Sequence, residues 1–363
     1  MTSRWDRRRF LASVAGAVTW STHGWAAAGN PDFLAATQDP DGRYRLMGLG
    51  ADGDLRFQID LPSRGHAAAA HPTRPEAVAF ARRPGVFALV VDCAEGRTLS
   101  TLEAPPGRHF CGHGTFSADG ALLITTENAF ETGQGRLGVW DATSGYARLG
   151  EVASGGIGPH DIRLMPDGAT LAIANGGIRT HPQSGREKLN LATMRPNLTY
   201  LRLRDGAVLE AIEPTHLLRL NSVRHLAVSA DATVAIAMQW QGDPAEGTPL
   251  LAFHRQGDAA FRWAEAPAHM LAAMEGYAGS VAFDGSGTRA AITSPRGGRV
   301  MAWDVVGGNP DVWLRPDVCG IAADDVGWIA TDGHGGLVFL DRRLVAARAI
   351  RHASAFDNHM VSL

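Results

Sequence analysis

The chain has 363 residues, of which 45% are hydrophobic and 20% charged, with a formal net charge of −3. That balance excludes an intrinsically disordered chain and describes an ordinary globular protein with ample material for a core. A mildly acidic total, with no basic stripe carrying interleaved aromatics, argues against nucleic acid as a partner.

The first element is a targeting segment over residues 1–28. Arg4, Arg7, Arg8 and Arg9 precede the apolar run Leu11 to Trp20, and Ala26-Ala27-Ala28 supplies the small residues a signal peptidase needs. Arg7-Arg8-Arg9-Phe10-Leu11 is similar to the twin-arginine pattern, although Asp6 and Ala12 depart from it. The apolar stretch is about half of the ~20 residues that span a bilayer, so no stable membrane span is expected and the mature protein is expected in the periplasm. Without residues 1–28 the chain carries 30 basic against 36 acidic residues, a formal charge of −6.

From residue 29 onward one phrase recurs. A short apolar strand meets a polar turn such as Ser117-Ala118-Asp119-Gly120 or Met165-Pro166-Asp167-Gly168, a second apolar strand follows, and a third ends near Asp, as in Leu137 to Asp141 and Val300 to Asp304. Six complete units start near residues 66, 113, 160, 225, 280 and 320, and a fragment, 359–363, begins a seventh. Residues 33–61 supply strands without a first member. An all-β, seven-bladed β-propeller over 29–363 is therefore expected, its last blade closed by strands from both ends of the chain; six or eight blades are the alternatives.

A histidine opens the first strand of successive units: His66, His113, His160, His225 and His359. First strands of a propeller surround its axis, so these imidazoles are expected to converge at one end of the channel, where neutral imidazole suits copper, iron or zinc. They can equally serve as structural hydrogen-bonding groups around a water-filled channel. Ser280 and Gly320 occupy the other two slots and are expected to leave the ring open on one side. Cys111 and Cys319 lie beside the ring, where a thiolate would favour copper or zinc. One concern is register, because Asp167 follows His160 by seven residues whereas Asp119 follows His113 by six, and a one-residue slip turns a side chain to the other face.

The insertion 176–197 carries Arg179, His181, Arg186, Lys188 (the only lysine) and Arg195. Long loops often serve function, and this one is expected either to cap the channel mouth over an anionic ligand, such as a carboxylate or a ferric chelate, or to pack on a neighbouring blade through Leu189, Leu191 and Met194. Glu127 and Asn128, just after a second strand, are expected to line the same face. No nucleophile elbow, phosphate loop, Cys-x-x-Cys or haem-attachment motif is present.

The stretches Arg64-Gly65-His66, Gly107-Arg108-His109-Phe110, Gly112-His113-Gly114, Thr126-Glu127-Asn128, Gly158-Pro159-His160-Asp161, Asn175-Gly176-Gly177-Ile178, Lys188-Leu189-Asn190-Leu191 and Asp357-Asn358-His359 together resemble the DUF1513 family. The resemblance implies a propeller of the YVTN and WD40 kind, export, and no established activity. Association of family members with imelysin-like and di-haem peroxidase-like proteins implies partners in periplasmic iron acquisition. Three functional classes remain open: a binding module for a metal or ligand, a lactonase- or esterase-like hydrolase using a metal-activated water, and a protein-interaction scaffold with an inert channel.

Overall fold

The structure, a computed structural model, describes residues 24–82, 86–185 and 187–363. The twin-arginine segment and Arg186 lie outside the described residues. Seven four-stranded antiparallel sheets form a seven-bladed β-propeller. We number the blades by the chain order of their innermost strands: Gly65–Ala70, Arg108–Phe116, Pro159–Leu164, Asn221–Val228, Ser280–Phe283, Val318–Asp324 and Ala355–Ser362. Each innermost strand packs against that of the next blade, and the seventh against the first, so they surround the axis.

Blade 7 closes the ring as the strand count predicts. Its innermost strand comes from the C-terminus and pairs with Phe33–Gln38, with Leu34 opposite Val361 and Ala35 opposite Met360. Tyr44–Leu49 and Leu55–Leu61 complete it. Closure of this kind leaves only short edges, the inner ones protected inside the ring.

The hydrophobic core is distributed as seven clusters, one at each blade interface. Val78 and Phe80 of blade 1 meet Leu123 and Trp140 of blade 2, and Val281 and Phe283 of blade 5 meet Leu251 and Phe253 of blade 4. The outermost strands, such as Arg97–Leu102, are largely exposed, whereas the second strands, such as Thr170–Asn175, are buried throughout because sheets cover both of their faces. The recurring turn is held by its own side chains: the Ser117 hydroxyl accepts from Leu122 N–H at 2.9 Å and donates to Asp119.

The end of the expected leader, Trp25–Ala28, forms one 3-10 turn. Trp25 donates from Nε1 to the His71 carbonyl at 2.9 Å, and Ala28 is buried in the cluster between blades 7 and 1. No helix among the described residues is long and apolar enough to cross a membrane.

Candidate metal centre

All five histidines meet on the axis. Ring centroids lie 4.6 Å apart for His66 and His359, 4.9 Å for His66 and His113, 5.0 Å for His113 and His160, 4.7 Å for His160 and His225, and 4.6 Å for His225 and His359. His113, His225 and His359 are buried, and His66 and His160 are partly so.

Local backbone irregularity brings them there. In blade 1 the register advances three residues from Gly65 to Ala68 while the partner strand advances two, and His66 falls within this bulge. In blade 3 the step from Pro159 to Asp161 spans one partner residue, so His160 is the extra residue. Bulges likewise enclose His113 and His359 and adjoin His225, whereas the pairing of Ser280 in blade 5 is regular. A bulge re-aims a side chain within a strand, which absorbs the one-residue difference in spacing after His160. Gly112, at φ +100°, completes the fit, since a Cβ there would lie 2.6 Å from the His66 ring.

Two buried carboxylates stand behind the imidazoles. Asp161 Oδ1 is 3.3 Å from His113 Nδ1, and Asp357 Oδ1 is 3.9 Å from His66 Nδ1. Asp161 also accepts the backbone N–H of Ile162 and, across the blade boundary, that of Leu226 at 3.0 Å. Asp357 takes Arg82 Nη1 at 2.5 Å and pairs with Arg64. Burial works against the charge on Asp161, but Arg163 and the neighbouring histidines outweigh it and hold the carboxyl far below its usual range. Burial lowers the His66 imidazole to about 4 despite the pull of Asp357, and burial reinforced by the neighbouring imidazoles holds His160, His225 and His359 well below their ordinary range.

One buried ring nitrogen on each imidazole has no protein hydrogen-bond partner: Nδ1 of His66, His160 and His225, and Nε2 of His113 and His359. Two triads offer ligand atoms all within 4.8 Å of one another, His66, His113 and His160, and His113, His225 and His359. Imidazole nitrogens bound at ~2.0–2.1 Å to one ion are at most ~4.2 Å apart, so a small rotation of these side chains closes either triad. The residues fit a transition metal.

Not every expected site residue joins the ring. Glu127 is fully buried away from the channel, with its carboxylate paired to Arg148 at 2.7 and 2.8 Å and accepting the Thr125 hydroxyl. The second strand of blade 2 extends to Ala129, and strand alternation turns Glu127 and Asn128 to opposite faces. Asn128 does face the channel side, lining a small cavity with His160 and Lys188, and it donates to the Thr180 carbonyl at 3.2 Å and meets His109, tying the insertion to blade 2. Arg179 lies over Gly133, and His181 sits against Phe130 with Nε2 3.6 Å from Glu131, so both rest on the blade 2 hairpin rather than over the channel. Met194 is buried whereas Leu189 is 45% exposed. Of the expected ligand-binding residues of the insertion, Lys188 alone among those described reaches the channel mouth.

The neighbours of the ring also differ from expectation. A Cβ at Gly320 would lie 2.5 Å from Thr331 Oγ1 and 3.2 Å from Met360 N, so this glycine allows close packing of blades 6 and 7 instead of leaving an opening. The Cys319 sulfhydryl is turned to the backbone carbonyls of Thr331, Phe356 and Asp357, the last at 3.2 Å, and burial pushes its pKa up. The channel opens over His66, His160 and His225 into a cavity of about 460 Å³, around which stand Arg64, Arg82, Arg224 and Arg296. The sequence reading missed these arginines as site residues; Arg224-His225 and Arg64-Gly65-His66 are the local signals that mark two of them. On the far side, the innermost strands run on to a second cavity of about 450 Å³ at Arg163, Leu226 and Met360.

A family model described as "Protein of unknown function (DUF1513)" matches residues 59–363. No curated protein matches the chain. Among solved structures, hydrazine synthase of Kuenenia stuttgartiensis is similar with a TM-score of 0.59 and 13% identity, covering 93% of this chain and 98% of that one. BamB from Moraxella catarrhalis is similar with a TM-score of 0.58 and 13% identity, covering 91% of this chain and 88% of that one. At such identity the likeness shows the fold alone.

Proposed function

The chain belongs to the DUF1513 family, and from that premise we propose that it is an exported, periplasmic metal-binding module whose channel histidines hold a transition-metal ion. The observation that carries this reading is the set of five converging imidazoles, each with a buried nitrogen that no protein group satisfies. Buried polar atoms are ordinarily paired, so five exceptions in one cluster need a common cause, and a metal supplies one. Burial disfavours the charged imidazolium, and a neutral ring keeps a lone pair on one of its two nitrogens, as ligation requires. Asp161 supplies the outer carboxylate that orients His113 and fixes its tautomer.

An all-imidazole donor set suits copper, iron or zinc. Iron is the metal that accords with the family association, and imelysin-like or di-haem peroxidase-like proteins are the partners this reading names. The sealing of Glu127 by Arg148 removes the carboxylate that a lactonase-like mechanism would draw on, which favours binding over hydrolysis.

Elemental analysis of the protein, exported through its own leader and purified without chelators, tests the proposal beside a His113→Ala/His160→Ala variant. Near-stoichiometric copper, iron or zinc that the variant loses is expected. Equal trace metal in both proteins would overturn it.

A further inference from the structure

The cavity above the histidines differs in charge from the rest of the molecule. Five cations from four blades meet around it: Arg64, Arg82, Lys188, Arg224 and Arg296. Among the described residues, Asp317 is the one carboxylate on the wall, with Asp357 pairing Arg64 and Arg82 behind it, although the whole chain has a net charge of −3. A recess lined mainly by cations in an acidic protein is costly by self-repulsion, which a negative ligand relieves. The repulsion registers at Lys188, whose ammonium is disfavoured by partial burial and then by Arg224 and Arg296.

The hydrogen-bonding chemistry points the same way. Arginine and lysine donate and never accept. Trp240 also lines the cavity, and its Nε1, a donor only, is buried without a protein partner. Gln241 adds one buried unpartnered acceptor, its Oε1, but donors predominate, so a ligand satisfying this wall carries mostly acceptors and at least one hydroxyl or N–H. Volume then sets its size: about 460 Å³ lies within the range of small-molecule sites and far exceeds an inorganic oxyanion. Planar guanidinium forks match carboxylates in pairs, and Arg296 is held for that use by lying 4.5 Å over the Tyr277 ring.

We propose that this cavity binds a small organic polycarboxylate, seated between the arginines and the histidine floor. The inference deepens the metal-site reading and rests on it in one respect, that the histidines form the floor of a ligand site; a carboxylate in the cavity would approach a bound ion from its open side.

Calorimetric titration of citrate into the full-length mature protein, both metal-stripped and loaded with whichever metal elemental analysis finds, tests it, with inorganic phosphate and neutral glycerol as comparison probes. Citrate is expected to bind at least tenfold more tightly than phosphate, and glycerol not at all. Arg296→Gln should weaken citrate at least tenfold, and Arg296→Lys, which keeps the charge, should recover part of that loss and serves as the folding control. Citrate binding to a protein that never holds metal would overturn the metal reading and leave this one standing. A metal-loaded protein that ignores citrate, or binds phosphate as tightly, would overturn this one and leave the metal site intact.

Discussion

Asp161 reaches His113 with one carboxylate oxygen at 3.3 Å and the Leu226 N–H of the next blade with the other at 3.0 Å, so a single buried group both orients an imidazole and joins two blades. Accepting the Nδ1 proton leaves His113 Nε2 as the free lone pair, and that is the nitrogen without a protein partner. Asp161→Asn keeps the shape and removes the charge. Metal affinity, measured by competition with a chromogenic chelator, is expected to fall about 10- to 100-fold, with the propeller still folded by circular dichroism. Undiminished affinity would remove Asp161 from the site.

Gly112 makes room for a ring that belongs to another blade. Gly112→Ala places a Cβ 2.6 Å from His66 at a φ of +100° that side chains avoid, so strain of about 1–3 kcal/mol is expected together with displacement of His66. Denaturant unfolding reads the first effect and metal stoichiometry the second. Lost stability with unchanged metal would show that His66 is not a ligand.

Glu127 makes the opposite prediction. Glu127→Gln strips the charge from a fully buried partner of Arg148 and should cost up to about 3 kcal/mol, since breaking a buried pair strands the remaining charge. Metal content should not change. A variant of unaltered stability that loses metal would return Glu127 to the functional site.

His71 governs part of the acid response, well away from the ring. Its Nδ1 accepts from the Thr73 and Arg74 N–H groups and its Nε2 faces the Gly120 carbonyl at 3.1 Å. Burial, with Arg74 nearby, lowers the imidazole to about 4 from 6.5. Between those two values the unfolded chain takes up a proton that the folded protein refuses, so stability is intact above pH 6.5 and declines as pH falls toward about 4. In His71→Asn, which retains an acceptor near Nδ1, the decline between pH 7 and 5 should be shallower by up to about 2 kcal/mol. Parallel stability curves for the two proteins would contradict this.

The extent to which the sequence revealed the site follows from how each residue gets there. His66, His113 and His160 recur every 47 residues, and an equal position in an equal repeat maps to the hub of a propeller by symmetry alone. The closing pair of Phe33–Gln38 with Ala355–Ser362 was legible because an unmatched first strand at one end answered missing strands at the other. Asp161 and Asp357 were visible in their motifs, yet their direction depends on bulges, which periodicity does not encode. Glu127 looked like a loop residue because its strand runs farther than the repeat suggests, to Ala129. The arginines around the cavity come from four blades, and residues such as Arg82 and Arg296, 214 positions apart, become neighbours only once the ring has closed.

The edge-to-face contact of His66 with His359, at 4.6 Å, joins the first blade to the last strand of the chain. The donor set is thus complete only when the strand Ala355–Ser362 closes blade 7, and an unclosed molecule has at most four of its five imidazoles in position. An ion held there acts as a rivet across the seam, stabilising the shut ring in proportion to its own occupancy.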